Sequence, residues 1–310
     1  MGNTREAEAN YEIMQASTTV LASTWQHQYI KTNDIKLHCV TQGEGELLIL
    51  LHGFPEFWYS WRHQIQALSR YFKVVVPDLR GYNYSDKPSN GYDIDTLTAD
   101  VRGVIASFGY TKAYVVGHDL GGAIAWNLAQ KFPHLVQRLA ILNAPHPQKV
   151  FGDLSTNLEQ LAKSWYILAF QIPGLPEWLI QQNLANFVKE VFRGQAVRKG
   201  AFTGEDHQIY QEALSRPGVL SAALNYYRQL LSPRQSLAWW GEKNQPITVP
   251  TLVLWGQEDA FWGKKLLEGL EKLVLAPFEL KVIPDCGHWI QQEVPQIVNR
   301  ELLKFFRPSK

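Results

Sequence analysis

The stretch Tyr114-Val115-Val116-Gly117-His118-Asp119-Leu120-Gly121-Gly122-Ala123 decides how this chain is read. It begins as a short apolar strand, passes through a sharp turn, and leads into the apolar run 123–129 at helical spacing. Glycines two places before and two places after Asp119 are what a strained strand-to-helix turn requires, because a Cβ at either place would collide with the strand or the helix. Such a turn lifts the side chain at its apex clear of the sheet. Here that side chain is a carboxylate. It cannot begin an ordinary acyl transfer, but it can displace a leaving group from an sp³ carbon and become an ester itself, which points to epoxides or alkyl halides.

Around this turn strands and amphipathic segments alternate. Strands are expected at 27–31, 36–41, 47–51, 73–77, 113–117, 139–142, 251–255 and 279–283, with amphipathic segments at 58–71, 94–108 and 263–273. The continuous run Leu47-Leu48-Ile49-Leu50-Leu51 has the pattern of a strand buried on both faces. The alternation predicts an α/β fold with a mostly parallel, doubly wound sheet. Between 146 and 245 it gives way to helical pieces at 158–170, 178–192 and 218–231, broken by Pro173-Gly174, Pro176 and Arg216-Pro217. A helical cap inserted there would roof the carboxyl ends of the strands, where open α/β sheets bind ligands. The expected organisation is a loose tail over 1–25, a core over 26–145 and 246–310, and a cap over 146–245.

Composition removes several classes of function. With 310 residues, 45% hydrophobic and 19% charged, the chain can bury a full core. Its 30 basic and 29 acidic residues leave a net charge of +1, so no electrostatic footprint for nucleic acid or an anionic membrane exists. Cys39 and Cys286 are the only cysteines, and neither Cys-x-x-Cys nor His-Glu-x-x-His spacing occurs, so no metal or other cofactor is expected. Glu6, Glu8 and Glu12 stand where a signal peptide would carry positive charge, and no apolar run reaches membrane-spanning length, so a cytoplasmic location is expected. No oligomeric state follows.

Three further stretches complete a constellation. After the third strand comes His52-Gly53-Phe54-Pro55-Glu56-Phe57-Trp58-Tyr59-Ser60-Trp61, a loop placed to offer the Phe54 N–H, with that of Leu120, to an oxyanion. Trp255-Gly256-Gln257-Glu258-Asp259 ends a predicted strand and supplies a carboxylate, Asp259, with Glu258 as its competitor. Pro284-Asp285-Cys286-Gly287-His288-Trp289 supplies His288 from the loop after the last strand. Asp119, Asp259 and His288 thus stand in the order nucleophile, acid, histidine. Taken singly, one of 9 histidines is better explained as structural; the joint occurrence reverses that.

Over roughly 27–306 the chain resembles an epoxide hydrolase of the α/β-hydrolase superfamily. The motifs that carry the resemblance are HGFPEFWYSW at 52–61, DLRGYNYSDKP at 78–88, GHDLGG at 117–122 and CGHW at 286–289. In the cap, Ser164-Trp165-Tyr166 and Leu224-Asn225-Tyr226-Tyr227-Arg228 resemble the segments that carry the family's two ring-opening tyrosines, which implies that role for Tyr166 and Tyr227. It also implies Trp165, Phe54 and Leu120 as substrate-pocket walls, and a small apolar epoxide and water as reactants. Two positions depart from the family. Leu120 replaces a frequent tryptophan, leaving the backbone donor but reshaping the pocket wall, and Asn83 stands where glycine is usual. Haloalkane dehalogenases resemble the chain in fold and nucleophile, but Leu120 and Phe54 lack the polar groups that hold a departing halide. Fluoroacetate dehalogenases use arginines where this chain has Leu120 and Ala123. No Gly-x-Ser-x-Gly for a serine esterase occurs, and a binder without catalysis would be free to lose a member of the constellation, yet none is missing.

Overall fold

The computed structural model describes residues 25–153, 157–232 and 245–307; the expected tail therefore lies outside the described residues except for Trp25. Eight strands form one sheet: β1 (Gln26–Thr32), β2 (Ile35–Gln42), β3 (Leu47–Leu51), β4 (Lys73–Pro77), β5 (Ala113–His118), β6 (Val136–Leu142), β7 (Thr251–Gly256) and β8 (Phe278–Ile283). Their order is β1-β2-β4-β3-β5-β6-β7-β8. β1 and β2 pair antiparallel, β2 pairs antiparallel with β4, and the remaining pairings are parallel. This is the doubly wound sheet the alternation predicts. β3, β5 and β7 are buried at every residue, as their largely apolar sequences favour, whereas every residue of β8 at the edge is at least partly exposed.

Helices cover both faces. α1 (Arg62–Leu68) follows a short 3₁₀ turn at Trp58–Trp61, α2 (Ile94–Ser107) starts at Asp93, whose side chain accepts the Thr96 N–H, and α3 (Asp119–Lys131) follows β5 directly. The core splits between the faces, with Trp126 in one buried cluster and Trp61 in the other.

Between β6 and β7 the chain builds helices: α4 (Pro147–Asp153), α5 (Leu158–Lys163), α6 (Trp165–Ala169), α7 (Leu175–Gln182), α8 (Leu184–Lys189), α9 (Gly204–Ser215) and α10 (Val219–Leu230). Two expected continuous helices are divided. The 158–170 piece breaks at Ser164, and the 178–192 piece at Asn183, whose side chain leaves the helix to cap α8 through the Asn186 N–H. The amphipathic segment at 263–273 forms two 3₁₀ turns, Lys264–Leu267 and Leu270–Leu273, because Gly269 sits between them at φ +74°. α11 (Ile290–Glu293) and α12 (Pro295–Phe306) close the described chain.

Candidate active site

β5 runs into α3 with no connecting residue, and Asp119 at the junction has φ +49°. A non-glycine residue in this left-handed region is strained, and the close packing around it over-determines the conformation. A Cβ on Gly117 would lie 2.4 Å from the Gly121 carbonyl oxygen, and one on Gly121 would lie 2.4 Å from that of Leu51. Both glycines are therefore required by contact, and α3 rides against β3 and β5 closely enough to hold the Asp119 carboxylate above the sheet.

That carboxylate meets two sets of groups. Its Oδ2 accepts a hydrogen bond from the Phe54 N–H at 3.0 Å, and its Oδ1 lies 3.9 Å from His288 Nε2. Leu120, second residue of α3, belongs to a first turn whose N–H groups have no intrahelical acceptor. The other ring nitrogen of His288, Nδ1, donates to Asp259 Oδ2 at 2.9 Å. Asp259 is held by three further donors: Asn143 Nδ2 at 2.6 Å and the N–H groups of Phe261 and Trp262 at 2.8 and 3.0 Å. Burial alone would raise the Asp259 pKa, but the His288 pair and these bonds bring it below the ordinary carboxylate value. For His288 burial works downward, and the Asp259 charge, reinforced by that of Asp119, reverses it to about 9. The competitor Glu258 points elsewhere, accepting the Cys286 N–H at 3.0 Å.

Over the carboxylate lies a cavity of about 500 Å³ with mostly apolar walls. Asp119 and His288 form part of its floor, and Phe54, Tyr166, Phe170, Phe261 and Tyr227 are among its walls. Tyr166 and Tyr227 come from α6 and α10, their rings 5.8 Å apart and nearly perpendicular. Tyr227 packs edge-on against Phe54 at 5.2 Å, and Tyr166 against Phe261 at 5.8 Å. Burial, followed by the nearby Asp119 charge, raises both phenol pKa values well above the ordinary one. Trp165 lines the cavity at its rim and is 67% exposed. The Leu120 side chain does not line it. It faces a separate void of about 50 Å³ beside Tyr92 and Tyr226, so the expectation that it walls the substrate pocket gives way to a packing position on the far side of the turn.

Sequence reasoning missed a layer beneath these groups. Glu56 is buried and accepts from the Gly53 N–H at 3.1 Å, His118 Nδ1 at 2.8 Å, and Gln291 Nε2 and Gln292 Nε2 at 2.9 Å each. His118 Nε2 in turn donates to the His288 carbonyl at 2.9 Å. One carboxylate thus joins the Phe54 loop, the residue before Asp119, and the backbone of His288. Although burial pushes the Glu56 pKa up, His118 and the Gly53 N–H more than offset it. Asn143, at φ +42° just after β6, was also missed; besides holding Asp259 it accepts the Gly256 N–H at 3.0 Å. The signals were a charged residue inside an apolar loop motif and a polar residue at a strand end.

A buried acid and histidine facing a residue on a glycine-flanked strand-to-helix turn define an α/β hydrolase. A profile of the alpha/beta hydrolase fold matches residues 46–295, and the chain belongs to that family. It is 38% identical over 291 residues to mouse epoxide hydrolase 4, covering 91% of this chain and 79% of the relative. It is 41% identical over 285 residues to the AB hydrolase superfamily protein YfhM of Bacillus subtilis, covering 90% and 97%. Among solved structures, the Bacillus megaterium epoxide hydrolase in complex with an inhibitor superposes with a TM-score of 0.83 at 34% identity, covering 90% of this chain and 99% of that one. Among the described residues no helix is long and apolar enough to cross a membrane.

Proposed function

We propose that this chain hydrolyses an epoxide to a vicinal diol through a covalent ester on Asp119, its core at 26–145 and 246–310 carrying the nucleophile and the cap at 146–245 the acid. The observation that carries the reading is the facing pair of tyrosines from the cap above a carboxylate whose second oxygen is already held by a backbone N–H. With Oδ2 tied to Phe54, Oδ1 is the free nucleophile. It attacks a ring carbon, the ring C–O bond breaks, and the released oxygen takes a proton from Tyr166 or Tyr227. Acid is needed because an alkoxide is a poor leaving group, and a phenol is a stronger acid than an aliphatic alcohol.

The second half belongs to His288. Once Asp119 is an ester its charge is gone, and with it one of the influences that hold His288 protonated. The freed base removes a proton from a water, which attacks the ester carbonyl carbon. The N–H groups of Phe54 and Leu120 stabilise the oxyanion that forms on Oδ2, collapse expels the diol oxygen, which takes the proton from His288, and the acid left on Asp119 gives its proton to the tyrosinate formed in ring opening, restoring carboxylate and phenol. Asp259, fixed by its four donors, orients the ring throughout.

The test is diol formation from a panel of racemic aryl and alkyl epoxides by wild type and Asp119→Ala, with halide release from matched haloalkanes followed alongside. Diol that depends on Asp119 is expected. Halide without diol would replace this reading with dehalogenation, and neither product would favour a binder.

A further inference from the structure

Eight of the sixteen large apolar side chains exposed among the described residues fall within 158–179. Leu158, Leu161, Trp165, Leu168 and Ile172 follow one another at alternating spacings of three and four, which on α5 and α6 places the helical members on one face. Leu175 and Leu179 extend the rhythm onto α7, with Trp178 beside them. All eight are between 42% and 79% exposed, while the opposite side of the same segment buries Gln160, Ile167 and Phe170. Soluble proteins rarely leave so concentrated an apolar surface without a use.

We infer that this face of the cap docks on the surface of an electrically neutral lipid bilayer and takes lipophilic substrate from it. The naming of the cargo as an epoxide rests on the function proposed above; the docking does not. Three observations select a lipid over a protein. First, the face is continuous with the cavity mouth: Trp165 and Leu179 both line the cavity and are more than half exposed, so a protein seated there would cover the entrance, whereas a fluid lipid phase would feed it. Second, the segment carries no uncompensated charge. Its only ionisable side chains with charge at neutral pH are Glu159, Lys163 and Glu177, and Lys163 pairs with Glu159 at 3.5 Å while Glu177 pairs with Arg228 at 2.8 Å. That balance matches zwitterionic headgroups and offers an acidic or basic partner nothing to hold. Third, two tryptophans flank leucines, the composition that settles at a membrane–water interface. A molecule that fits the apolar cavity is also one that partitions into lipid.

The experiment is co-flotation of the full chain with phosphatidylcholine vesicles, compared with a Leu168→Ser, Trp178→Ser double variant, in which neither altered residue lines the cavity. Thermal unfolding verifies that the variant is folded. Wild type is expected to float and the variant to lose at least about tenfold in partitioning, since two half-exposed large apolar side chains no longer enter the lipid. No flotation of wild type, or equal flotation of both, overturns the inference. So does a wild-type dimer in sedimentation velocity that the double substitution dissociates, because the face would then join two copies of the chain. None of these outcomes depends on turnover, so they stand apart from the fate of the epoxide reading.

Discussion

Replacing Glu56 with glutamine tests whether the layer beneath the site matters as its hydrogen bonds indicate. The carboxylate accepts four donors, two on each oxygen. An amide must turn its NH₂ towards one of these pairs, leaving either Gly53 N–H and His118 Nδ1 or the two glutamine side chains without an acceptor. Leaving two buried donors without an acceptor costs roughly 1–3 kcal/mol each, about 3–5 kcal/mol together. Unfolding 310 residues at roughly 2.1 cal/mol/K each carries an entropy near 0.65 kcal/mol/K, so Tm should fall by about 5–8 °C. His118 also holds the His288 carbonyl, so hydrolysis of the Asp119 ester should slow by about tenfold or more, as an angstrom of misplacement suffices for such losses. Thermal melts and single-turnover decay of the ester measure the two effects. A variant with Tm within about 1 °C of wild type and unchanged decay would refute the reasoning, since a carboxylate carrying four buried bonds cannot be dispensable.

Other substitutions separate the two halves of the reaction. His288→Gln should accumulate a mass adduct equal to the bound substrate, and the absence of an adduct with a substrate that wild type turns over would remove His288 from the second half. Single Tyr166→Phe and Tyr227→Phe changes should each slow ester formation by about 10- to 100-fold, and the double change by about 10⁴ or more, with ester decay little altered. Decay should rise with pH: His288 must be neutral to act, its pKa near 9 falls once Asp119 is esterified, and the rate drops about tenfold per unit below that lowered value. A decay constant flat between pH 6 and 9 would sink this assignment. Gly53→Ala places a Cβ 2.5 Å from Asp119 Cβ and 2.6 Å from its Oδ2, so turnover should fall by at least about a hundredfold in a protein that still folds.

The sheet was legible because local patterns wrote it. All eight strands overlap the ranges expected from the sequence, and Leu47 to Leu51 is buried throughout as its composition demands. The meeting of Asp119, Asp259 and His288 was legible for another reason: these residues occupy strand ends or the loops that follow, and their chain order is fixed by topology. What stayed hidden depends on contacts across long separations. Glu56 meets His118 and Gln291 over 62 and 235 residues, and Asn143 meets Asp259 over 116. No window along the chain reveals such pairs. Leu120 shows the same limit at close range, since one position past the nucleophile the helical turn has already carried its side chain away from the cavity.

On the mechanism proposed above, Asp119 would also order the steps in time through its own charge. While it is a carboxylate, it raises His288 and both tyrosines, in each case alongside burial, which acts downward on the histidine and upward on the phenols. Before attack, therefore, the Asp119 charge favours a protonated His288 and protonated phenols. In the proposed reaction, attack on the epoxide consumes the charge. As it disappears, the tyrosines become stronger acids at the moment the ring oxygen needs a proton, and His288 becomes free at the moment the ester needs a base. The proposed sequence of chemistry would then follow from a single electrostatic event at the apex of the turn between β5 and α3. A serine in the same seat begins uncharged and could not switch its neighbours in this way. On the proposed mechanism the aspartate in Gly117-x-Asp119-x-Gly121 is therefore both the nucleophile and the group whose loss of charge releases its neighbours.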